Sequence, residues 1–228
     1  MRPVRKQGEL QLGSSEPEQS GRVLPGNLPG FRYLPAHLDQ ARQQALITTV
    51  FQVAAVAPFY KPSMPKTGKP FSVGMTNCGT LGWVSDKDGG YRYQQTHPVT
   101  AEPWPAMPAA ILDLWHDLAG FPAPPEACLI NHYVAGTRLG SHVDADEAET
   151  AAPVISVSLG DDAVFHIGGL RRADPKSRMT LRSGDIVVLG GTARLAYHGL
   201  DRIVPGTSEL VPMGGRINLT LRRVNRVR

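Results

Sequence analysis

The stretch PVISVSLGDDAVFHIGG, residues 153–169, decides the fold. It contains two short runs rich in β-branched and aromatic residues, which the turn signal GDD separates. The same pattern continues on both sides, so the chain after residue 125 is predicted to form eight short strands: ACLINHYV, RLGSH, PVISVSL, AVFHIGG, RMTLR, DIVVLGG, RLAYHG and RINLTLRRV. Eight such strands predict a barrel or a double-sheet jelly roll, either of which can hold a site in its mouth.

Two segments upstream of these strands have helical spacing. The run PAHLDQARQQALITTVFQVA, which starts at Pro35, predicts a first helix that ends before Pro58. The run PAMPAAILDLWHDLAGF, which starts at Pro105, predicts a second helix that Gly120 terminates. Both helices are expected to buttress the strands. The predicted fold class is therefore mainly β with buttressing helices (α+β).

Composition predicts one globular domain. The chain has 228 residues, of which 41% are hydrophobic, and this is enough for a single sizeable core. We expect residues 1–21 to be a disordered polar tail and residues 22–228 to form the domain. No apolar stretch is long enough to span a bilayer, and the amino terminus lacks the apolar core of a secretion signal. The sequence therefore predicts a cytoplasmic protein with no membrane partner.

Charge leaves two interpretations open. Lysine and arginine outnumber aspartate and glutamate by 24 to 20, and the last stretch of the chain is rich in arginine. This excess fits a polyanionic partner, but a solvated basic tail explains it equally well. Motifs of the GxGxxG, Walker and GxSxG types are absent from the sequence, so nucleotide-loop and serine-hydrolase functions have no support.

The stretch between the predicted helices, residues 58–105, is dense in glycine, proline and aromatic residues. It is predicted to contain strands joined by long loops, and loops of that length inside a domain are often functional. Trp83, Tyr91 and Tyr93 lie in this stretch. They either face a site or cap the core, and the pattern alone does not separate these two roles.

A candidate metal site lies in TRLGSHVDADE, residues 137–147. On a strand, the period of two places His142 and Asp144 on the same side, but two ligands seldom hold a metal. The third ligand is predicted to be His198, which ends the predicted strand RLAYHG at a rim of the fold; His166 remains a second candidate. Two histidines and one carboxylate form the set that binds non-haem Fe(II) and leaves positions open for oxygen chemistry.

The last predicted strand, RINLTLR at 216–222, alternates polar and apolar residues. Alternation places Arg216, Asn218, Thr220 and Arg222 on one face. Two arginines directed into the fold need anionic partners, which a small dicarboxylate that also chelates the metal would supply. The alternative is an exposed edge strand whose arginines are solvated.

Several segments between Phe71 and Arg222 resemble the AlkB family of Fe(II)- and 2-oxoglutarate-dependent dioxygenases: MTNCGTLGW, PWPAMP, ACLINHY, HVDADE, PVISVSLG, FHIGGLRRADP, SGDIVVLGG, YHG and RINLTLR. The resemblance implies a double-stranded β-helix (jelly roll) with its β core in residues 126–223 and a substrate lid in residues 58–105. It also implies that the single domain over 22–228 is catalytic. In this family, an N-linked methyl group is oxidised and leaves as formaldehyde, while O2 and 2-oxoglutarate give succinate and CO2.

The resemblance also assigns roles to individual residues. Fe(2+) would be held by the catalytic residues His142, Asp144 and His198. Arg222 would lie near the keto-acid end of 2-oxoglutarate and Arg216 at its distal carboxylate. The residues completing the co-substrate pocket would be Asn131, Tyr133 and Asn218. The substrate-binding residues would be Trp83, Tyr91, Tyr93, Asp146 and Arg172.

The expected partner is nucleic acid, as single-stranded or flipped-base DNA, with RNA as an open alternative. A monomer is the simplest expectation for the assembly. Two other functions remain open at this point. One is an oxygenase of the same fold that hydroxylates a small molecule or a protein side chain, and the other is a metal-holding or nucleic-acid-binding module without turnover.

Overall fold

The structure, a computed structural model, describes residues 28–227, so the tail predicted at 1–21 lies outside the described residues. The described chain forms twelve strands, two α-helices and one 3-10 helix. The strands are β1 (Phe31–Leu34), β2 (Gly74–Gly79), β3 (Gly82–Asp86), β4 (Gly90–Gln94), β5 (Ala127–Tyr133), β6 (Leu139–His142), β7 (Val154–Gly160), β8 (Asp162–Ile167), β9 (Ser177–Leu181), β10 (Ile186–Leu189), β11 (His198–Val204) and β12 (Arg216–Arg222). The helices are α1 (Gln40–Val56), α2 (Ala109–Leu118) and the 3-10 helix (Gly191–Leu195).

The strands form two antiparallel sheets and a separate hairpin. The larger sheet has the order β1-β10-β7-β12-β5-β2, the smaller sheet has the order β6-β11-β8-β9, and β3 pairs only with β4. The eight strands predicted from the sequence divide equally between the two sheets, four to each. This arrangement confirms the double-sheet jelly roll and the mainly β fold class.

The central position of β12 explains why its sequence alternates. The strand pairs with β7 on one side and with β5 on the other, so it is not the exposed edge strand of the alternative interpretation. Its apolar residues Ile217, Leu219 and Leu221 are completely buried in the core cluster that also contains side chains of α1 and α2. Its polar residues therefore face the other way, into the space between the two sheets.

Both predicted helices are present and pack on the larger sheet. Asp39 caps α1 because its side chain accepts a hydrogen bond from the backbone N–H of Arg42 at 2.8 Å. Ala41 and Ala45 of α1 are exposed. The residues that α1 buries are Leu46, Ile47, Val50 and Val53, and those that α2 buries are Ile111, Leu114, Trp115 and Leu118. None of the helices described between residues 28 and 227 has the length and apolarity needed to cross a membrane.

One strand boundary differs from the sequence prediction. The run RLAYHG is not a strand that ends at His198, because β11 begins there and a 3-10 helix precedes it. The buried side chain of Arg194 explains the helical turn: it donates hydrogen bonds to the backbone carbonyl oxygens of Asp144 at 2.6 Å and Ala152 at 3.1 Å. These contacts hold the segment against the loop after β6, away from the sheet.

Residues 58–105 contribute to both the sheet and the hairpin. β2 adds to the edge of the larger sheet by pairing with β5, and the β3–β4 hairpin follows it. Asn77 on β2 fixes the backbone of Trp83 on β3: its Nδ2 donates to the carbonyl oxygen and its Oδ1 accepts from the N–H, both at 3.1 Å. The hairpin is thereby tied to the sheet through a side chain that is itself fully buried.

Candidate metal centre and active site

Two histidines and an aspartate meet at one end of the smaller sheet. β6 ends at His142, β11 begins at His198, and these residues are direct cross-strand partners. Asp144 follows β6 by two residues, and its carboxylate oxygens lie 3.8 Å from the Nε2 atom of each histidine. One ligand atom from each residue lies within 4.8 Å of the others. The structure therefore brings together the three metal ligands predicted from the sequence.

The hydrogen bonds of the two histidines leave their Nε2 atoms available for a metal. Nδ1 of His142 donates to the carbonyl oxygen of Gly140, and Nδ1 of His198 donates to that of Ala196, both at 2.9 Å. Because a carbonyl oxygen only accepts, each Nδ1 carries the proton and each Nε2 carries a lone pair. A backbone carbonyl commonly fixes the tautomer of a metal-ligating histidine in this way.

Burial and charge keep the ligands in the protonation states that bind a metal. Burial lowers the pKa of His198 to about 4, and His142 acts in the same direction while Asp144 opposes them. Burial alone would raise the pKa of Asp144, but Arg222 and the two histidines outweigh it and hold this pKa well below its usual range. At neutral pH the site therefore presents a neutral imidazole and a carboxylate, so metal binding there need not displace protons.

The low pKa of His198 predicts an acid-sensitive fold in the metal-free protein. The imidazole titrates near 6.5 in the unfolded chain and at about 4 in the fold. Between these values the unfolded chain binds one more proton, so the free energy of unfolding should fall as the pH drops through this range. Urea unfolding of metal-free protein between pH 7 and pH 4 measures the effect. The His198→Gln variant should show a shallower slope, and an unchanged slope would contradict the assignment.

His166, the second candidate for the third ligand, lies outside the metal site. Its Nδ1 atom is 2.7 Å from Oδ1 of Asp201. Phe165 lines the cavity described below, so its neighbour on β8 faces the opposite side of the strand. Within residues 28–227, His142, Asp144 and His198 form the only group of three side chains with the spacing of metal ligands.

The metal ligands lie in the wall of a cavity of about 540 Å³ between the two sheets. Every site residue predicted from the sequence lines this cavity except Tyr93. The polar face of β12 forms part of the lining, and apolar side chains from both sheets form much of the rest. The apolar lining residues include Val154, Phe165, Leu181, Val187, Leu189 and Leu200. The cavity can therefore enclose a small anion beside the metal ligands and exclude water from it.

Arg216 is a buried cation that has no ion pair with a described carboxylate. It is 1% exposed, and its guanidinium donates to the carbonyl oxygen of Asp161 at 3.2 Å and to Oγ of Ser158 at 2.5 Å. Its Nε atom has no hydrogen-bond partner among residues 28–227. Burial lowers the pKa of Arg216 to about 10. A buried guanidinium in this state favours the entry of an anion, as predicted for the distal carboxylate of 2-oxoglutarate.

Arg222, in contrast, is already paired with carboxylates. Its Nη2 atom donates to Oδ1 of Asp144 at 2.8 Å, and its Nε atom lies 3.5 Å from Oε1 of Glu147. Burial alone would lower the pKa of Arg222, but Asp144, Tyr93 and Glu147 together raise it, so the group stays charged. Arg222 thus orients a metal ligand. Its contact with the keto-acid end of 2-oxoglutarate stays a prediction.

The other predicted pocket residues are buried and differ in what they can still bind. Burial raises the pKa of Tyr133 to about 12, so its hydroxyl stays protonated and can donate a hydrogen bond. Asn131 lies on the same strand two residues earlier and also lines the cavity. The amide of Asn218 is engaged by the protein, because Nδ2 donates to Oγ of Ser156 at 2.8 Å and Oδ1 accepts from Thr220 at 2.9 Å. Asn218 therefore fixes the shape of the wall.

The β3–β4 hairpin carries two aromatic side chains to the cavity. The rings of Trp83 and Tyr91 are stacked, with centroids 5.5 Å apart and an interplanar angle of 22°. Nε1 of Trp83 donates to Oδ2 of Asp146 at 2.8 Å, so this carboxylate is held beside the aromatic pair. Arg172 also lines the cavity, with its guanidinium 6.0 Å from the ring centroid of Tyr197. A flat surface, a carboxylate and an exposed cation thus adjoin the metal ligands.

Tyr93 lies away from the cavity and contacts the charged groups behind it. Its hydroxyl donates to Oε1 of Glu147 and accepts from Nη1 of Arg222 at 3.2 Å. Burial raises the pKa of Tyr93, so the hydroxyl keeps its proton. The family resemblance grouped Tyr93 with Tyr91 as substrate-binding residues. In the structure the two side chains have different surroundings, because Tyr91 stacks on Trp83 and Tyr93 contacts Glu147 and Arg222.

Glu147 and Arg194 belong to the same group of charges and were not predicted from the sequence. They form an ion pair of 2.9 Å in which both side chains are almost completely buried. The acidic run DADE was the available signal for Glu147, but it did not distinguish this carboxylate from its neighbours. Arg194 carried no signal, because nothing local distinguishes a buried arginine from a solvated one.

The side chains present fit Fe(II) and 2-oxoglutarate. Two imidazole nitrogens and one carboxylate supply the donor set of a non-haem Fe(II) site that keeps positions open. Arg216, whose Nε atom lacks a partner among the described residues, lines the same cavity. The two requirements of this chemistry, a facial metal site and an anion site, therefore occur together.

Comparisons with known proteins agree with this site. The sequence profile of the 2OG-Fe(II) oxygenase superfamily matches residues 30–222. An alpha-ketoglutarate-dependent dioxygenase AlkB homolog from Caulobacter vibrioides is 54% identical over 198 residues, which cover 86% of this chain and 88% of the relative. A DNA N(6)-methyladenine demethylase, ALKBH1A of Arabidopsis thaliana, is 44% identical over 82 residues, which cover 36% of this chain and 24% of that protein.

A solved structure gives the same result for the fold. The structure of OsALKBH1 matches with a TM-score of 0.73 and 29% sequence identity, and the match covers 86% of this chain and 97% of that one. The profile match spans most of the chain, and the Caulobacter vibrioides relative shares more than half of the aligned residues. The chain therefore belongs to the 2OG-Fe(II) oxygenase superfamily and, within it, to the AlkB family of 2-oxoglutarate-dependent dioxygenases.

Proposed function

We propose that this enzyme oxidatively demethylates N-alkylated bases of nucleic acid, with DNA as the target and RNA as an alternative. One observation carries the proposal: the metal ligands, a buried arginine without an ion pair among residues 28–227 and a stacked aromatic pair all line one cavity. Membership of the AlkB family and the likeness to a protein named as a DNA demethylase support the same reaction. The products would be the restored base, formaldehyde, succinate and CO2.

The groups of residues that line the cavity would have different roles in this reaction. His142, Asp144 and His198 would hold Fe(II), and Arg216 would bind the distal carboxylate of 2-oxoglutarate through paired hydrogen bonds. When bound, the iron and the co-substrate supply the oxidation of an N-linked methyl group by O2. Arg222 keeps Asp144 charged and oriented, and the apolar lining would exclude water from the reacting groups.

The aromatic pair suits a base taken out of its stack. A flipped or single-stranded base needs a flat surface in its pocket, and stacking on an aromatic side chain contributes roughly 1–3 kcal/mol per base. Trp83 and Tyr91 provide such a surface, and the carboxylate of Asp146 would attract a cationic alkylated base. The exposed guanidinium of Arg172 would contact a phosphate. We therefore propose single-stranded or flipped-base DNA as the bound form.

We further propose a monomer in the cytoplasm. The free thiols of Cys78 and Cys128 support the location, because buried unpaired cysteines suit a reducing compartment. Sedimentation of the full chain with and without an oligonucleotide would test the assembly. A dimer that persists without nucleic acid would contradict the monomer.

A product assay tests the reaction. The full chain is mixed with Fe(II), 2-oxoglutarate, ascorbate and a methylated single-stranded oligonucleotide, in DNA and RNA forms with several methylated bases. We expect succinate and formaldehyde in equal amounts, together with loss of the methyl group from the base. An unmethylated oligonucleotide is the control. Succinate without demethylation of any base would instead favour an oxygenase that acts on a small molecule or a protein side chain.

The Trp83→Ala variant should separate substrate binding from the chemistry. Removing the stacking surface is expected to raise the KM for the oligonucleotide about ten- to a hundredfold. The slow conversion of 2-oxoglutarate in the absence of nucleic acid should stay close to that of the wild type, because Trp83 contacts none of the metal ligands. Trp83→Phe keeps a flat ring and should recover much of the affinity. Equal loss of both activities in Trp83→Ala would make Trp83 a structural residue.

A further inference from the structure

Glu147 is a buried carboxylate close to the active site that does not line its cavity. Its side chain is 1% exposed. Oε2 accepts a hydrogen bond from Nη2 of Arg194 at 2.9 Å, and Oε1 lies 3.5 Å from Nε of Arg222. Oε1 also accepts the hydroxyl proton of Tyr93. Because Glu147 is absent from the cavity wall, these contacts connect other parts of the protein and leave no place for the substrate.

The partners of Glu147 belong to three separate parts of the fold. Tyr93 is on the hairpin that carries Trp83, and Arg222 is on β12, where it holds the carboxylate of Asp144 at 2.8 Å. Arg194 is on the 3-10 helix that leads into β11, and its Nη1 atom donates to the carbonyl oxygen of Asp144 at 2.6 Å. One carboxylate thus contacts the hairpin and both arginines that fix a metal ligand.

This group contains one carboxylate for each guanidinium. Two buried guanidinium groups, of Arg194 and Arg222, face two buried carboxylates, of Asp144 and Glu147. Without Glu147, both cations would depend on Asp144, which must also serve as a metal ligand. Removing one partner from a buried set of charges destabilises the remaining ones strongly, because water cannot replace the lost group. The position of Asp144 therefore depends on Glu147.

The hairpin has two side-chain attachments to the segment of residues 144–147. One is the bond from Trp83 to Asp146, which is exposed and competes with water. The other is the bond from Tyr93 to Glu147, whose side chain is almost completely buried. Both acceptors are carboxylates, but a hydrogen bond is stronger where the surroundings exclude water. Of the two attachments to this segment, which also supplies the metal ligand, the one through Tyr93 is therefore the stronger.

We propose that Glu147 is a positioning residue that couples the hairpin carrying Trp83 and Tyr91 to the metal ligand Asp144. The carboxylate holds Arg222 and Arg194 in place for Asp144, and it holds the hairpin in place through the hydroxyl of Tyr93. This role rests on the proposed function only in that the hairpin is taken to receive the base. The coupling itself is a property of the free protein.

The test compares two variants, each of which lacks one tyrosine hydroxyl that donates to a carboxylate. Tyr93→Phe removes the buried bond to Glu147, and Tyr33→Phe removes a bond of 2.7 Å from a hydroxyl to the carboxylate of Asp185, on the far edge of the larger sheet. Hydrogen–deuterium exchange of peptides from residues 82–94 is measured on the full chain, with and without Fe(II) and 2-oxoglutarate under anaerobic conditions. We expect about tenfold faster exchange in Tyr93→Phe. Unchanged exchange in Tyr33→Phe is the expected control.

Kinetic measurements then separate the two connections that Glu147 makes, to the hairpin and to the arginines that hold Asp144. Tyr93→Phe should raise the KM for the oligonucleotide about tenfold and raise the KM for 2-oxoglutarate much less, because Arg222 loses one neutral acceptor but keeps its carboxylate partners. Glu147→Gln should raise both and weaken Fe(II) binding in a titration. Hairpin exchange in Tyr93→Phe that equals the wild type, or equal acceleration in Tyr33→Phe, would overturn the proposal. Since exchange needs no substrate, it decides this question even if demethylation is not observed or Glu147→Gln does not fold.

Discussion

Replacing His142 with alanine is expected to abolish turnover and to weaken Fe(II) binding by more than about a hundredfold. Loss of a partner that merely orients a metal ligand typically reduces affinity ten- to a hundredfold, so loss of the ligand itself should exceed that. The side chain of His142 is 34% exposed and fills no part of the core, so the variant should fold. Fe(II) titration and succinate release measure the two effects.

The matched control for this variant is His116→Ala. His116 is an exposed residue of α2 in its last turn, so the same chemical change there should leave metal binding and turnover as in the wild type. Thermal unfolding of the two variants without metal shows whether the fold is retained. Wild-type Fe(II) affinity in His142→Ala would refute the assignment of this ligand, whichever substrate the enzyme uses.

Replacing Arg216 with methionine should raise the KM for 2-oxoglutarate by about two to three orders of magnitude. Breaking a buried charge pair costs about 3–5 kcal/mol, and each 1.4 kcal/mol corresponds to a factor of ten. Methionine keeps much of the apolar volume. Because Arg216 has no ion pair with a described carboxylate, its removal leaves no buried carboxylate without a partner. The fold should therefore tolerate the change.

A shortened co-substrate provides the control for Arg216. Binding of 2-oxoglutarate is compared with that of 2-oxobutanoate, which has the keto-acid end but lacks the distal carboxylate. The wild type should discriminate strongly between the two acids, whereas Arg216→Met should bind both weakly and to a similar extent. If the variant still prefers 2-oxoglutarate as strongly as the wild type does, the distal carboxylate binds elsewhere.

The sequence could predict the parts of the fold and site that depend on local periodicity. The alternation of β12 correctly separated Arg216 and Arg222 from the apolar face, and the spacing of His142 and Asp144 correctly placed both at one site. His198 was also identified, but its strand boundary was wrong, because the side chain of Arg194 determines the preceding turn from a distance of 50 residues in sequence.

The parts that could not be predicted depend on long-range pairing of charges. Glu147 follows two exposed residues in an acidic run, and only the arrival of Arg194 and Arg222 from other elements makes its burial possible. Tyr93 has the same strand face as Tyr91, yet one side chain reaches this charged group and the other remains half exposed. Such differences arise from packing between sheets, which a periodic pattern does not encode.

The central position of β12 has a consequence for how the enzyme could change during evolution. Both of its edges are hydrogen-bonded to neighbouring strands, so the arginines at its two ends are held at a fixed separation. The two-stranded hairpin has no such restraint at its tip, where Lys87, Asp88 and Gly89 are exposed. Mutations at this tip can therefore alter the hairpin that carries Trp83 and Tyr91 to the cavity without moving the arginines of β12.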